Sequence, residues 1–194
     1  MTLQSLQDAF VRVLIDRGYE KMTIREVVAV AGVGIGTFYD YMPNLRSLAA
    51  SAINKHCTEA WAVLSSTMAL NEGLSIDQTV EHMLKALVKE GFRNPKEWTA
   101  LLLLERQVSS AEALKKIHDL YVQLWASAIR HSTLVIEEDK LIGVSRMAHA
   151  ISYGWYSHDL LFYIDDPRHT RSIDEIAQGI VGVIKLSVPP RAVR

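Results

Sequence analysis

The run Gly32-Val33-Gly34-Ile35-Gly36-Thr37-Phe38-Tyr39-Asp40-Tyr41 concentrates the most suggestive chemistry of this chain in one place. Closely spaced glycines let a backbone approach phosphate groups, whether of a dinucleotide or of a nucleic acid. The β-branched run Val27, Val28 and Val30 before it could imitate the strand of a dinucleotide fold. That fold also needs a third glycine five residues after the first, and the position is Thr37. An acidic residue about 20 positions on must hold the ribose, and residues 49–53 offer none. A helix-turn-helix explains more. Gly32 supplies a left-handed turn, and Phe38 points back into a small core. Thr37, Tyr39 and Tyr41 are then left on an outer face, where hydroxyls reach phosphates or base edges.

Catalytic chemistry finds little support elsewhere. The seven histidines show no His-Glu-x-x-His spacing. His118-Asp119 and His158-Asp159 are neighbours along a helix, so their side chains diverge instead of forming dyads. No Gly-x-Ser-x-Gly elbow and no phosphate-binding loop with lysine occurs. Cys57 is the only cysteine, which excludes an intrachain disulfide and a cysteine zinc cage. The expectation is a protein that is not an enzyme, with no metal and no cofactor.

Helix signals account for nearly the whole chain. Leu6, Phe10, Val13 and Leu14 share one helical face, closed by Gly18-Tyr19. Thr23 with Glu26 is a capping-box pattern that opens a short second helix. Residues 35–42 form a third, stopped by Pro43, and Asn44 caps a long fourth running to about Leu70. Ser75 with Gln78, Asn94-Pro95 with Glu97, Ser109 with Glu112, and Ser172 with Glu175 open the fifth, sixth, seventh and ninth. The eighth spans about Glu138 to Ile164, before Asp165-Asp166-Pro167, and the ninth ends before Pro189-Pro190. The predicted fold is all-α, with about nine helices and no strand.

With 194 residues, 49% of them hydrophobic, the chain can bury a substantial core. The net charge of −1 excludes a globally basic nucleic-acid coat protein but leaves room for a local DNA-binding face. The N-terminus MTLQSLQDAF lacks the basic and apolar regions of a signal peptide, and charges interrupt every apolar run short of a membrane span. A soluble, cytoplasmic protein is expected.

Residues 6–48 resemble the DNA-binding domain of the tetracycline-repressor (TetR) family of bacterial transcriptional regulators. The resemblance runs through Leu6-x-x-Ala9, Arg17-Gly18-Tyr19, Thr23-Ile24-x-Glu26-Val27, Ala31-Gly32-Val33, Gly36-Thr37-Phe38-Tyr39 and Leu48. It implies a three-helix DNA-binding domain over 1–46 and a helical ligand-binding and dimerisation domain over 47–194. By position, it implies that Thr23 and Arg25 meet phosphate, that Gly34, Ile35 and Thr37 face the major groove, and that Tyr39 and Tyr41 touch the backbone. Asn44 and Arg46 flank the recognition segment and complete the DNA-binding set. The implied partners are an operator DNA duplex, a small-molecule effector and a second copy of the chain.

Two positions depart from the family pattern. Leu45 stands where a lysine is usual, and Gly34 where a hydroxyl residue is common. Residues 1–56 carry six basic residues against five acidic ones. Each missing phosphate contact weakens binding and flattens its salt dependence, so modest operator affinity is expected.

The body carries aromatic residues at helical spacing. Trp98, Leu102 and Glu105 share a face of the sixth helix, Tyr121 and Trp125 of the seventh, and His149 and Tyr153 of the eighth. Together with the resemblance, they form the expected pocket for an apolar or aromatic effector; ordinary core packing is the alternative. The eighth helix is apolar nearly all round and must be covered on several faces. The ninth carries an isoleucine-rich stripe with Gly179 and Gly182 beside it, and an interior glycine costs a helix about 1 kcal/mol. A twofold four-helix interface through Trp155, Phe162, Ile173, Ile176, Gly179, Ile180 and Val183 would explain both. The function so implied is a dimeric, ligand-responsive repressor on a palindromic operator. A helical small-molecule-binding protein with weak or lost DNA binding remains the alternative.

Overall fold

A computed structural model describes residues 2–69, 72–166 and 172–188. Among them the chain is entirely helical, with nine α-helices and one short 3-10 turn. The helices are α1 (Leu3–Arg17), α2 (Ile24–Ala31), α3 (Ile35–Tyr41), α4 (Leu45–Ala69), α5 (Ile76–Gly91), α6 (Pro95–Val108), α7 (Ala111–His131), α8 (Glu138–Phe162) and α9 (Ile173–Leu186). The expected end of α4 at Leu70, together with Pro167 and Pro189-Pro190, lies outside the described residues.

Local chemistry sets most of these boundaries. The Thr23 hydroxyl accepts from the Glu26 amide at 3.2 Å while the Glu26 carboxylate accepts from the Thr23 amide at 2.9 Å, a reciprocal capping box. Ser75 and Gln78 repeat the arrangement at α5. Asn44 Oδ1 accepts from the Ser47 amide at 2.8 Å and opens α4. Pro95 occupies the first turn of α6, where its missing amide hydrogen costs nothing. One cap differs from expectation. Ser110, not Ser109, caps α7, accepting from the Ala113 amide at 3.1 Å. Ser109 instead closes α6, its amide donating to the Glu105 carbonyl.

The chain divides into two compact units, Met1–Glu59 with Asn94–Leu114, and Ala60–Arg93 with Lys115–Arg194. The first extends beyond residue 46 and takes in α6. Its core joins Leu6, Phe10, Val27, Phe38 and Leu48 with Leu101 and Leu104. In the second, Leu84, Trp125, Ile129, Leu141, Ile180 and Ile184 are among the core residues.

Within the second unit, α8 buries several hydroxyls in apolar surroundings. Ser145, Ser152 and Ser157 each donate back to a carbonyl one turn earlier, at 2.7, 3.0 and 3.1 Å, which keeps those groups satisfied. Gly91 at the end of α5 admits Tyr156 of α8. A β-carbon at position 91 would lie 1.8 Å from the Tyr156 hydroxyl oxygen.

Candidate DNA interface and effector site

The turn between α2 and α3 is built on Gly32, whose φ of 68° lies in the left-handed region that disfavours residues with a β-carbon. Its amide and that of Val33 close α2 onto the Ala29 and Val28 carbonyls. Gly34 then begins α3 in ordinary extended geometry, with no side chain to cap the helix. Phe38 is fully buried and anchors α3 to the unit's core. Ile35, Tyr39 and Tyr41 are exposed, the tyrosines at 57% and 47%, and Thr37 is half-buried. A seven-residue helix thus spends one side chain on packing and turns most of the others outward.

The flanking members of the expected DNA-binding set differ in how free they are. Arg25 is exposed and makes no ion pair among the described residues. The Thr23 hydroxyl is engaged in the α2 cap, and Asn44 in the α4 cap. The Arg46 Nε donates to the Val108 carbonyl at the end of α6, at 3.2 Å. Tyr41 accepts a hydrogen bond from the Thr2 hydroxyl at 2.9 Å, which steadies its ring from the start of the chain. Neither the Thr2 partnership nor the Val108 partnership has a spacing signal in the sequence, because both join residues far apart along it.

The expected pocket residues divide between the units. On α6, Trp98 packs against His56 of α4 with ring centroids 3.9 Å apart, and the His56 Nδ1 lies 3.5 Å from the Glu97 carboxylate. Leu102 is half-buried and Glu105 buried. Burial raises the Glu105 carboxyl above its ordinary pKa, opposed by the nearby Arg106. Burial, reinforced by the Glu105 charge, pushes the Cys57 thiol up to about 12.

In the second unit, Tyr121, His149 and Tyr153 lie in ring contact. Tyr121 lies nearly parallel to His149, at 12° and 5.7 Å, and Tyr153 is tilted at 5.7 Å. His118, which is not in the expected pocket, joins the group at 5.0 Å from His149. It stands one helical turn before Tyr121, the spacing that could have flagged it. Its sequence neighbour Asp119 pairs with Lys115 instead. Desolvation, helped by His118, depresses the His149 imidazole to about 4. Trp125, by contrast, is 2% exposed and packs into the core. A separate groove of about 590 Å³ on α4 and α5 is lined by Val63, Thr67, His82, Lys85, Ala86, Lys89, Glu90 and Arg93, none of them in the expected pocket.

The α8 and α9 residues expected between subunits also separate. Phe162 is 67% exposed and Gly179 is exposed, while Trp155, Ile173, Ile176 and Val183 are half-buried. Ile180 is fully buried in its own unit, because the Ala177, Ile180 and Ile184 face of α9 packs inward. Its side chain is therefore committed within the chain. A β-carbon at Gly179 or Gly182 would meet nothing within 4 Å, so no contact inside the described chain calls for glycine there.

Residues 6–52 match the family model described as bacterial regulatory proteins, tetR family. Residues 6–52 are thus similar to the DNA-binding domain of that family. No curated protein matches the chain. Solved structures of the same fold include the fatty acid degradation regulator FadR from Bacillus halodurans, 16% identical with a TM-score of 0.67 over 99% of this chain and 97% of that one. A transcriptional regulator from Rhodococcus sp. RHA1 is 17% identical with a TM-score of 0.72 over 98% and 100%. The multidrug binding protein EbrR, complexed with imidazole, is 17% identical with a TM-score of 0.68 over 98% and 91%. The chain thus has a helix-turn-helix segment similar to the tetR family's and a helical body with the fold of these structures. No helix among the described residues is long and apolar enough to cross a membrane.

Proposed function

We propose that the chain is a dimeric repressor that binds a palindromic operator and is released by a small aromatic effector. The observation that carries this reading is α3, which hangs on Phe38 and offers Ile35, Thr37, Tyr39 and Tyr41 to the outside. Such a helix has little to do within the fold and suits the major groove. Residues 1–46 read DNA, with Arg25 free to meet phosphate. Residues 47–194 bind the effector and a second copy of the chain. Two copies place their α3 helices about one turn of DNA apart, roughly 34–36 Å. The second copy covers Phe162, Ile176, Gly179 and Val183, where glycines lacking any intrachain neighbour allow close helix approach. The ring group of Tyr121, His149 and Tyr153 receives the effector.

One observation favours the alternative of a small-molecule-binding protein with weakened DNA affinity. Arg46, the nearest substitute for the lysine replaced by Leu45, is engaged with the Val108 carbonyl. Fluorescence anisotropy with the DNA flanking the chain's own gene decides between the two readings. Saturable binding that Tyr39→Ala and Arg25→Ala abolish supports the regulator. Binding no tighter than to random DNA of equal length sinks it.

A further inference from the structure

We propose that the groove on α4 and α5 is a second ligand site, and that it takes small organic carboxylates with an apolar body. The groove holds about 590 Å³ and is lined by residues of these two helices and of the turn after α5. Ligand sites in general measure about 300–1,000 Å³. Eight residues line it, whereas a stable protein interface engages about 20–30 residues a side. A small molecule therefore fits, and a folded partner does not. The site shares no residue with the ring group of Tyr121, His149 and Tyr153, so it stands apart from the effector reading.

Its two walls differ in chemistry. On α4, Val63 is 44% exposed, and the Thr67 hydroxyl is engaged by the Val63 carbonyl at 2.9 Å, which leaves a mainly apolar surface. On the other wall Lys85 and Lys89 stand one turn apart along α5, and Arg93 follows past its end. His82 and Ala86 complete that wall. Partners inside the chain answer the outer two cations. Lys85 pairs with Glu81, and Asp174 of α9 adds negative charge near it. Arg93 pairs with the buried Glu90 at 2.9 Å. Lys89, between them, makes no ion pair among the described residues.

One uncompensated ammonium beside apolar surface selects a monoanion. A carboxylate on Lys89 gains a charge-assisted hydrogen bond. The rest of the guest covers Val63 and Ala86 and removes apolar area from water. A cation meets Lys89 as a like charge, and a neutral guest lacks the charge-assisted bond. A dianion finds no second available cation, because drawing Arg93 away would leave the buried Glu90 carboxylate unpaired.

The test is calorimetric titration of the full-length protein with naphthoate, naphthamide and naphthylmethylammonium, which share one apolar body and differ in charge. Methyl spectra of Val63 and Ala86 report where they bind. Naphthoate should bind at least about fivefold more tightly than the neutral amide, shift both methyl signals and weaken as salt rises. Lys89→Gln should remove that advantage and Lys89→Arg should keep it, while Lys140→Gln on α8 should leave it unchanged. Val63→Glu, on the opposite helix, should weaken naphthoate by a similar factor. Equal binding of the amide overturns the proposal, as does naphthoate binding undiminished by K89Q. Naphthoate that fails to bind, or that shifts only signals outside the groove, overturns it as well. Tighter binding of a polyglutamate peptide would make the groove a protein-docking surface, and self-association abolished by K89Q would make it an interface between copies. Either result sinks the carboxylate site.

Discussion

Tyr39 and Tyr41 on α3 stand largely in solvent, whereas Tyr121 and Tyr153 on α7 and α8 are half-buried among rings. The residue type is the same and the helical setting similar. What differs is who the partner is. On α3 one buried phenylalanine holds the helix, and its tyrosines add little to the fold. In the second unit the tyrosines frame an imidazole and are part of the packing. The first arrangement leaves hydroxyl-bearing rings on the surface, and the second packs them against an imidazole. Exposed aromatics can therefore be removed with little structural consequence, while those in the ring group cannot.

The largest expected effect breaks the anchor of the first region. Phe38→Ala should destabilise the protein by about 3–5 kcal/mol in chemical denaturation, since it empties a fully buried site. Tyr39→Ala on the same helix should change stability by less than about 0.5 kcal/mol. A comparable loss from both would erase the distinction between anchor and surface.

The next prediction probes the second region through pH. His149 has its folded-state pKa depressed from 6.5 to about 4. As pH falls the unfolded chain takes up this proton first, so its contribution is whole above about pH 6.5 and lost on the way to pH 4. The loss should be on the order of 3 kcal/mol, at 1.36 kcal/mol per pKa unit. Subtracting the pH–stability curve of His149→Phe from that of the wild type isolates it. A flat difference would mean that the imidazole is open to water.

Smaller effects follow. Gly91→Ala should cost about 1–3 kcal/mol in thermal or chemical unfolding, because the new methyl group meets the Tyr156 ring and forces a shift. Thr23→Ala should cost about 1 kcal/mol through the lost helix cap. Hydrogen bonds from the Thr23 side chain and backbone, aided by Arg17, hold the Glu26 carboxyl below its ordinary pKa. The Thr23 hydroxyl's bond to the Glu26 carboxylate weakens on acidification, whereas its cap on the Glu26 amide does not titrate, so the T23A cost should shrink below about pH 4 without vanishing. A cost that is the same at every pH would assign the whole effect to the amide cap.

The two regions also differ in how far the sequence exposes them. The α2–α3 segment is decided by neighbours: a threonine three residues before a glutamate, a glycine at the left-handed turn, a phenylalanine facing inward. Helix starts at Asn44, Ser75, Pro95 and Ser172 were legible for the same local reason. At α7 two adjacent serines offer a cap, and the Ser110 hydroxyl is the one that accepts from the Ala113 amide. Tyr121, His149 and Tyr153 could be placed on helical faces, but that His118 joins them depends on how α7 meets α8. Ile180 lay on an apolar stripe that periodicity alone cannot assign to its own core or to a partner. Arg46 could be located beside the recognition helix, yet its engagement by a carbonyl 62 residues away had no sequence signature.

The meeting of Gly91 and Tyr156 ties two distant positions into one unit of variation. With the tyrosine ring filling the space that a side chain at 91 would take, neither position drifts alone. A descendant of this sequence that acquires alanine at 91 must displace the ring at 156 or replace it. One that loses the tyrosine first frees position 91 to change. The order in which such substitutions accumulate is therefore constrained by a single glycine at the end of α5.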